Sequence, residues 1–243
     1  MSVISESGVS NTIVRLTSES NYVFDLELAA IDGSLHDFYT EEGQKSYVVT
    51  STVFFKLERG KMIYKGSEVK EFIFDGKGEN HMRKAEYDEA NSLQTLILMD
   101  RKLSMDLSFN MNLPRNVIAI TKDFDERERR KLDIGNAPWI ILDNEYPRTG
   151  YIRLTDKGWV FRIETTLSYK AEYILNLLYV MSREPIPEAL GYNYPLFLAD
   201  KLAKLYRDRA KRALDFIAQK ELTRYRTFRS LVENRRRSWS LSQ

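Results

Sequence analysis

Leu26-Glu27-Leu28-Ala29-Ala30-Ile31-Asp32-Gly33-Ser34 reads as an apolar β-strand running into a turn, and Leu96-Ile97-Leu98-Met99-Asp100 closes on an aspartate in the same manner. Two strand-terminal aspartates are informative together, because the ends of neighbouring strands project side chains into a common crevice at the edge of a sheet. Two carboxylates less than about 6 Å apart repel each other unless a divalent cation sits between them. Taken alone, Asp32-Gly33-Ser34 is also an ordinary turn sequence, since Asp and Gly accept turn dihedrals and Ser can cap.

Outward from these two segments, strands are expected at Thr12 to Thr17, Tyr22 to Ile31, Tyr47 to Leu57 and Val69 to Phe74, all rich in β-branched and aromatic residues between turn residues. Asn80 to Leu93, without Gly or Pro, predicts the first helix, followed directly by the strand Gln94 to Met99. Further strands are expected at Val117 to Thr121, Trp139 to Leu142, Tyr151 to Leu154 and Trp159 to Thr165, with a short charged helix, Asp125 to Leu132, whose DERERRK run is a solvated face. Tyr169 to Ser182 is apolar almost all round, as a helix buried against a sheet should be. After the Pro-punctuated segment Glu184 to Tyr194, a long helix begins near Leu196, with Leu198, Leu202, Leu205 and Ala213 as its apolar stripe. The result is one α/β domain over residues 22–219, preceded by a short segment, 1–21, and followed by a peripheral basic tail, 220–243.

Composition narrows the chemistry. The 243 residues contain no Cys and two His, His36 and His81, which removes disulfides, Cys/His zinc sites and thiol nucleophiles. Any catalytic metal must be held by carboxylates, which suit Mg²⁺, Mn²⁺ or Ca²⁺. No apolar run approaches the roughly 20 residues that span a bilayer, so no membrane association is expected. MSVISESGVSN lacks the basic start and apolar stretch of a secretory signal, and a cytoplasmic location is expected. The net charge of +2 hides an asymmetry: from Lys201 to Gln243 there are 13 Lys/Arg against 4 Asp/Glu, or +9, leaving −7 for residues 1–200. An acidic body with a basic helix points to an anionic polymer or an acidic surface as partner. Lys204, Arg207 and Lys211 form one charged stripe, and Arg224, Arg226, Arg229 and the run Arg235-Arg236-Arg237 form the densest cationic stretch. A plain solvated helix would carry the same charges.

The segment Gly191-Tyr192-Asn193-Tyr194-Pro195-Leu196-Phe197-Leu198-Ala199-Asp200 is the most specific string in the chain. With the AIDGS and LILMD strand ends before it, in that order, the sequence resembles the NurA nucleases of archaea and bacteria over roughly residues 22–210. The resemblance implies an RNase H-like mixed sheet flanked by helices, with a long basic C-terminal helix. It implies a nuclease using Mn²⁺ or Mg²⁺, with two ions, that cuts single-stranded DNA and trims 5′ ends in DNA end processing and double-strand break repair. The partners it implies are DNA, a HerA-like hexameric ATPase and a second copy of the chain.

Carried over by position, Asp32 and Asp100 match the family's strand-borne metal ligands, Asp200 falls at a third ligand position and Tyr192 at the motif's tyrosine. Glu86 is chosen as the helix-borne glutamate, with Glu89 or Glu79 as alternatives, and Lys122 resembles a lysine that follows a mid-chain strand. Plainer roles stand beside these: an i,i+4 pair with Lys204 for Asp200, an exposed helix position for Glu86, and core packing beside Pro195 for Tyr192 and Tyr194. Asp100-Arg101-Lys102 replaces the Asp-Gly-Ser common at the family's second strand end, and the N-terminal region lacks a long helix that many members carry. The altered turn after Asp100 favours a competing reading, a catalytically inactive RNase H-like module that binds nucleic acid or an ATPase, and the short N-terminal region weakens the expectation of a HerA-like partner.

Overall fold

The computed structural model describes residues 2–4, 10–16, 22–132, 134–183 and 191–240, with side chains of the last helix described through 220 and at 223, 224, 226, 227, 229 and 230. Two short strands, β1 (Ser2–Ile4) and β2 (Ser10–Thr12), pair with each other, while β3 (Val14–Arg15) joins the edge of the main sheet. That sheet is built on three long strands, β4 (Asp25–Thr40), β5 (Gly43–Glu58) and β6 (Lys61–Asp75), joined by tight turns. At the second turn Arg59 and Gly60 have φ of 50° and 76°. Positive φ at both positions is the two-residue turn whose twist matches that of the flanking strands.

The expected turn at Asp32-Gly33-Ser34 is corrected here. β4 runs on through it as far as Thr40, and Asp32, Gly33 and Ser34 stand opposite Ser51, Thr50 and Val49 of β5. Gly33 keeps strand backbone because the partner strand holds it on both sides; the chain reverses instead at Glu41-Glu42, where Gly43 supplies φ of 125°.

The other half of the sheet comprises β7 (Leu96–Met99), β8 (Val117–Thr121), β9 (Trp139–Leu142), β10 (Arg148–Arg153) and β11 (Phe161–Thr165), giving the order β3-β9-β10-β11-β8-β7-β4-β5-β6. β4, β7 and β8 are mutually parallel and the remaining pairs antiparallel. β8 and β9 have the bounds expected from sequence. β6 extends well beyond Val69–Phe74, because an edge strand with mostly exposed residues carries little alternation to read.

Helices cover both faces. α1 (Glu79–Ser92) and the unanticipated α2 (Leu103–Ser108) pack Tyr87, Ala90 and Leu103 onto Ile31, Ile97, Met99, Val117 and Ala119. α3 (Glu126–Lys131) buries nothing, as expected of DERERRK. On the opposite face α4 (Ala171–Met181) and the start of α5 (Tyr194–Ser240) cover Leu28, Ala30, Leu98, Ile118 and Ile120. The expected apolar stripe of α5 holds in part: Leu198 and Leu202 pack against the core beside Leu196 and Ala199, whereas Leu205 is 51% exposed and Ala213 is exposed, and further along the helix the packed face is Ala203, Tyr206, Ala210, Leu214 and Ala218. Small side chains let the helix lie close across the β4-β5 hairpin. The boundary expected at 219/220 lies inside this one helix, and the segment 184–190 lies outside the described residues. The mixed sheet with flanking helices and a long C-terminal helix is the expected fold class. Among the described residues no helix is long and apolar enough to cross a membrane.

Candidate functional site: a carboxylate centre at the end of strand β7

The parallel register runs from Leu28↔Leu96 to Ile31↔Met99, where β7 stops. One step further, the same offset sets Asp32 of β4 beside Asp100. Side chains alternate along a strand, so the pleat that turns Leu28, Ala30 and Leu98 toward α4 and α5 turns Asp32 and Asp100 toward them too. Lys122 follows β8 on the other side of Asp100. Three adjacent strands therefore deliver two carboxylates and one ammonium to one end of the sheet.

The segment before α5 closes over this group. Gly191 has φ of 67° and leaves no room for a side chain, since a Cβ would stand 2.9 Å from Thr155 Oγ1 and 3.0 Å from Gly158 Cα. Tyr192 is thereby set into the core against Phe161, its hydroxyl donating to Asp100, with Lys122 Nζ 4.0 Å from its ring centroid. Asn193 caps the helix, its Oδ1 accepting the Leu196 N–H at 3.2 Å. Pro195 fits the first turn, where its missing N–H costs nothing. Ser51, the cross-strand partner of Asp32, donates its hydroxyl to the Ala199 carbonyl at 2.7 Å. That bond fixes the turn of α5 that carries Asp200 against β4 and β5. Asp200 also makes the helix pair expected of its spacing, 2.6 Å to Lys204.

Glu86 arrives from the opposite face. Gly33 makes the approach possible: a Cβ on it would stand 2.2 Å from Glu86 Oε1 and 2.7 Å from Met82 Cγ. Glu86 is buried, against the exposed position its plainer reading assigned, and its other oxygen, Oε2, accepts from Arg101 Nε. The alternative glutamates lie elsewhere. Glu89 is bound by Lys70 and by the Thr52 hydroxyl in a groove beside Phe74 and His81, and Glu79 is an exposed partner of Arg83. Beneath Glu86 lies a second buried pair, Arg83 Nε 3.1 Å from Asp106 Oδ1, with the Tyr87 hydroxyl donating to Asp106 at 2.9 Å.

The electrostatics report the same convergence. The Asp32 carboxyl is pushed well above the usual range, first by burial and then by Glu86, Asp100 and Asp200 in that order. Asp100 is raised by burial and by Asp200, opposed by Lys122, Arg101 and the Tyr192 hydroxyl. Glu86 is raised by burial, with Arg101 opposing. Tyr192 is pushed far up by burial and by Asp100, Asp32 and Asp200. Carboxylates that raise one another are a set short of positive charge.

Asp32, Glu86, Asp100, Asp200, Lys122 and Tyr192 are thus brought together. Arg101, Gly33 and Ser51 are not singled out by the sequence, although the departure at Asp100-Arg101-Lys102 is a signal for the first. Among the described residues no three acidic or histidine side chains stand at metal-holding spacing. Arg101 pairs with Glu86 and Lys204 pairs with Asp200. In kind, the donors fit a hard divalent cation: all are carboxylate oxygens, Asp32 and Asp100 lack an ion-pair partner among the described residues, and Gly33 leaves the cradle that Glu86 Oε1 enters.

The cationic residues distribute differently from one even track. Arg207 Nη1 donates to Ser34 Oγ at 3.0 Å and its guanidinium also pairs with Asp208, so it helps to seat α5. Lys204, Lys211, Arg224, Arg226 and Arg229 are exposed along the same helix, while the side chains of Arg235, Arg236 and Arg237 lie outside the described residues.

Comparison with known proteins agrees with this architecture. The NurA domain family matches residues 141–205, a span that contains Tyr192 and Asp200 but not Asp32, Glu86, Asp100 or Lys122. The NurA nuclease from Sulfolobus solfataricus superposes with a TM-score of 0.51 at 17% identity, covering 75% of this chain and 80% of that one. Endonuclease V from Ciona intestinalis, solved with a 24mer DNA containing an inosine followed by a ribo-adenosine, superposes with a TM-score of 0.50 at 11% identity, covering 82% of this chain and 92% of that one. No curated protein matches the sequence.

Proposed function

We propose that this chain, NurA-like in its matched segment and in its fold, is a divalent-metal-dependent nuclease whose centre is Asp32, Glu86, Asp100 and Asp200. The observation that carries the reading is the approach of four carboxylates, from β4, α1, the end of β7 and α5, near enough for three of them to raise the buried Asp32 carboxyl. Burying mutually repelling carboxylates costs stability and serves no purpose in packing. A divalent cation, when bound, supplies the charge that stabilises the attacking and leaving oxygens of phosphodiester cleavage and acidifies a water.

The chain's own residues do the rest. Asp32 and Asp100 offer carboxylate oxygens from adjacent strands, and Glu86 offers Oε1 while Arg101 holds Oε2. Lys122 stands beside Asp100 and over the Tyr192 ring, where its ammonium can orient a phosphate oxygen. Tyr192 donates to Asp100 and fixes its rotamer. The substrate we assign is DNA, cut endonucleolytically when single-stranded and trimmed 5′ to 3′ at its ends. End processing in double-strand break repair, a HerA-like ATPase partner and a homodimer follow from the resemblance alone.

End-labelled single- and double-stranded DNA incubated with the protein in Mn²⁺, Mg²⁺ or EDTA tests the reading. Cleavage with either ion and none with EDTA is expected; a protein inert on every DNA substrate in Mn²⁺ overturns it. The ion pairs Glu86–Arg101 and Asp200–Lys204 favour the second reading, an inactive binding module, because they engage two of the four carboxylates. That reading requires DNA binding that is unaffected by metal and no cleavage.

A further inference from the structure

Arg101 follows Asp100 directly and its guanidinium bonds Glu86 with a side chain only 13% exposed. It acts on both carboxylates, opposing the upward push of burial on Glu86 and on Asp100. We infer that the centre is built for one divalent cation, with the Arg101 guanidinium on Glu86 supplying the positive charge that a second ion would otherwise supply. The inference rests on the metal-dependent reading above and replaces the pair of ions implied by the sequence resemblance.

Charge is the first reason. Four carboxylates meet three resident cations, Arg101 on Glu86, Lys204 on Asp200 and Lys122 beside Asp100, which leaves a formal charge of −1. One divalent ion makes the set +1, which the single negative charge of a phosphodiester cancels. Two ions would make it +3 before substrate arrives, more positive charge than one phosphodiester cancels. Permanence is the second reason. A guanidinium cannot be deprotonated in a protein, and its planar fork suits a carboxylate, so it cannot give up its charge by losing its proton as a lysine could. Geometry is the third. Glu86 has Oε1 at Gly33 and Oε2 on Arg101, so only Oε1 is left for a metal and Glu86 cannot hold two ions through its two separate oxygens.

The test counts ions without relying on turnover. Mn²⁺ titrated into the full-length protein by calorimetry should bind once per chain, and the electron paramagnetic resonance spectrum should be that of isolated Mn²⁺. Arg101→Ser removes that charge and should bind two Mn²⁺ with the spectrum of an exchange-coupled pair, while Arg101→Lys keeps the charge and should stay at one. Two ions in the wild type overturn the inference and leave the nuclease reading standing. One ion in a folded Arg101→Ser also overturns it. No Mn²⁺ bound by the wild type at millimolar concentration overturns the metal reading, and this inference with it. Thermal melting reports whether Arg101→Ser is folded; if it is not, the wild-type and Arg101→Lys counts still decide.

Discussion

A carboxylate set among three others is a cost to the fold unless a cation offsets it, and the Asp32 carboxyl is pushed well above its usual range by burial and by Glu86, Asp100 and Asp200. Asp32→Asn keeps the volume and removes the charge. The metal-free variant should melt no lower than wild type, gain less from Mn²⁺ and lose cleavage of single-stranded DNA by orders of magnitude; full cleavage by a folded Asp32→Asn would remove it from the centre. Gly33→Ala tests the neighbouring position, where a Cβ meets Glu86 Oε1 at 2.2 Å. Overpacking of this kind costs about 1 to 3 kcal/mol, so the melting temperature should fall by several degrees and Mn²⁺ affinity should fall with it as Glu86 is displaced. Unchanged affinity would show that Glu86 is not a ligand. Asp32 and Asp100 are legible in the sequence because an apolar run ending in Asp is a local pattern. The partnership of Arg101 with Glu86 is not, since it joins the chain after β7 to α1 and depends on the packing of that helix over Gly33.

At the scale of elements, the centre depends on where β7 ends and where α5 begins. β8 and β9 are readable to the residue because they are fully buried apolar runs. β4 reads short in the sequence because Asp-Gly-Ser has turn composition, and only its pairing with β5 overrides that preference. The stripe of α5 reads correctly at Leu198 and Leu202 and misleads beyond them, where a close approach to a hairpin selects alanine over leucine. Asp200 sits on this helix, and its two roles can be separated. As a partner of Lys204 alone, half-exposed as that lysine is, it contributes at most about 1 kcal/mol, and Asp200→Ala would leave turnover nearly intact. As a fourth ligand beside Asp32 it should cost orders of magnitude in turnover at micromolar Mn²⁺, with partial recovery at high Mn²⁺. We expect the second outcome; near-normal rates at micromolar Mn²⁺ would confine Asp200 to its ion pair.

Across the whole molecule, the carboxylate centre lies in a body of net charge −7, which by itself repels the polymer it is proposed to cut. The +9 segment from Lys201 onward offsets this, and it is carried on one helix whose 47 residues extend about 70 Å at the ordinary rise. Among the described side chains of α5, the last buried one is Ala218, after which Arg224, Arg226 and Arg229 are exposed. These exposed arginines are placed to meet the polyanion proposed above as substrate. Truncation after Lys220 should leave the melting temperature and the Mn²⁺ count unchanged while weakening binding to single-stranded DNA. Each phosphate that the shortened helix no longer neutralises should flatten the slope of log affinity against log salt by about 0.7. An unchanged slope with binding intact would assign the arginines beyond Lys220 to plain solvation or to a protein partner. DNA capture would then fall to Lys204 and Lys211 on the near half of the helix, which leads directly from Asp200.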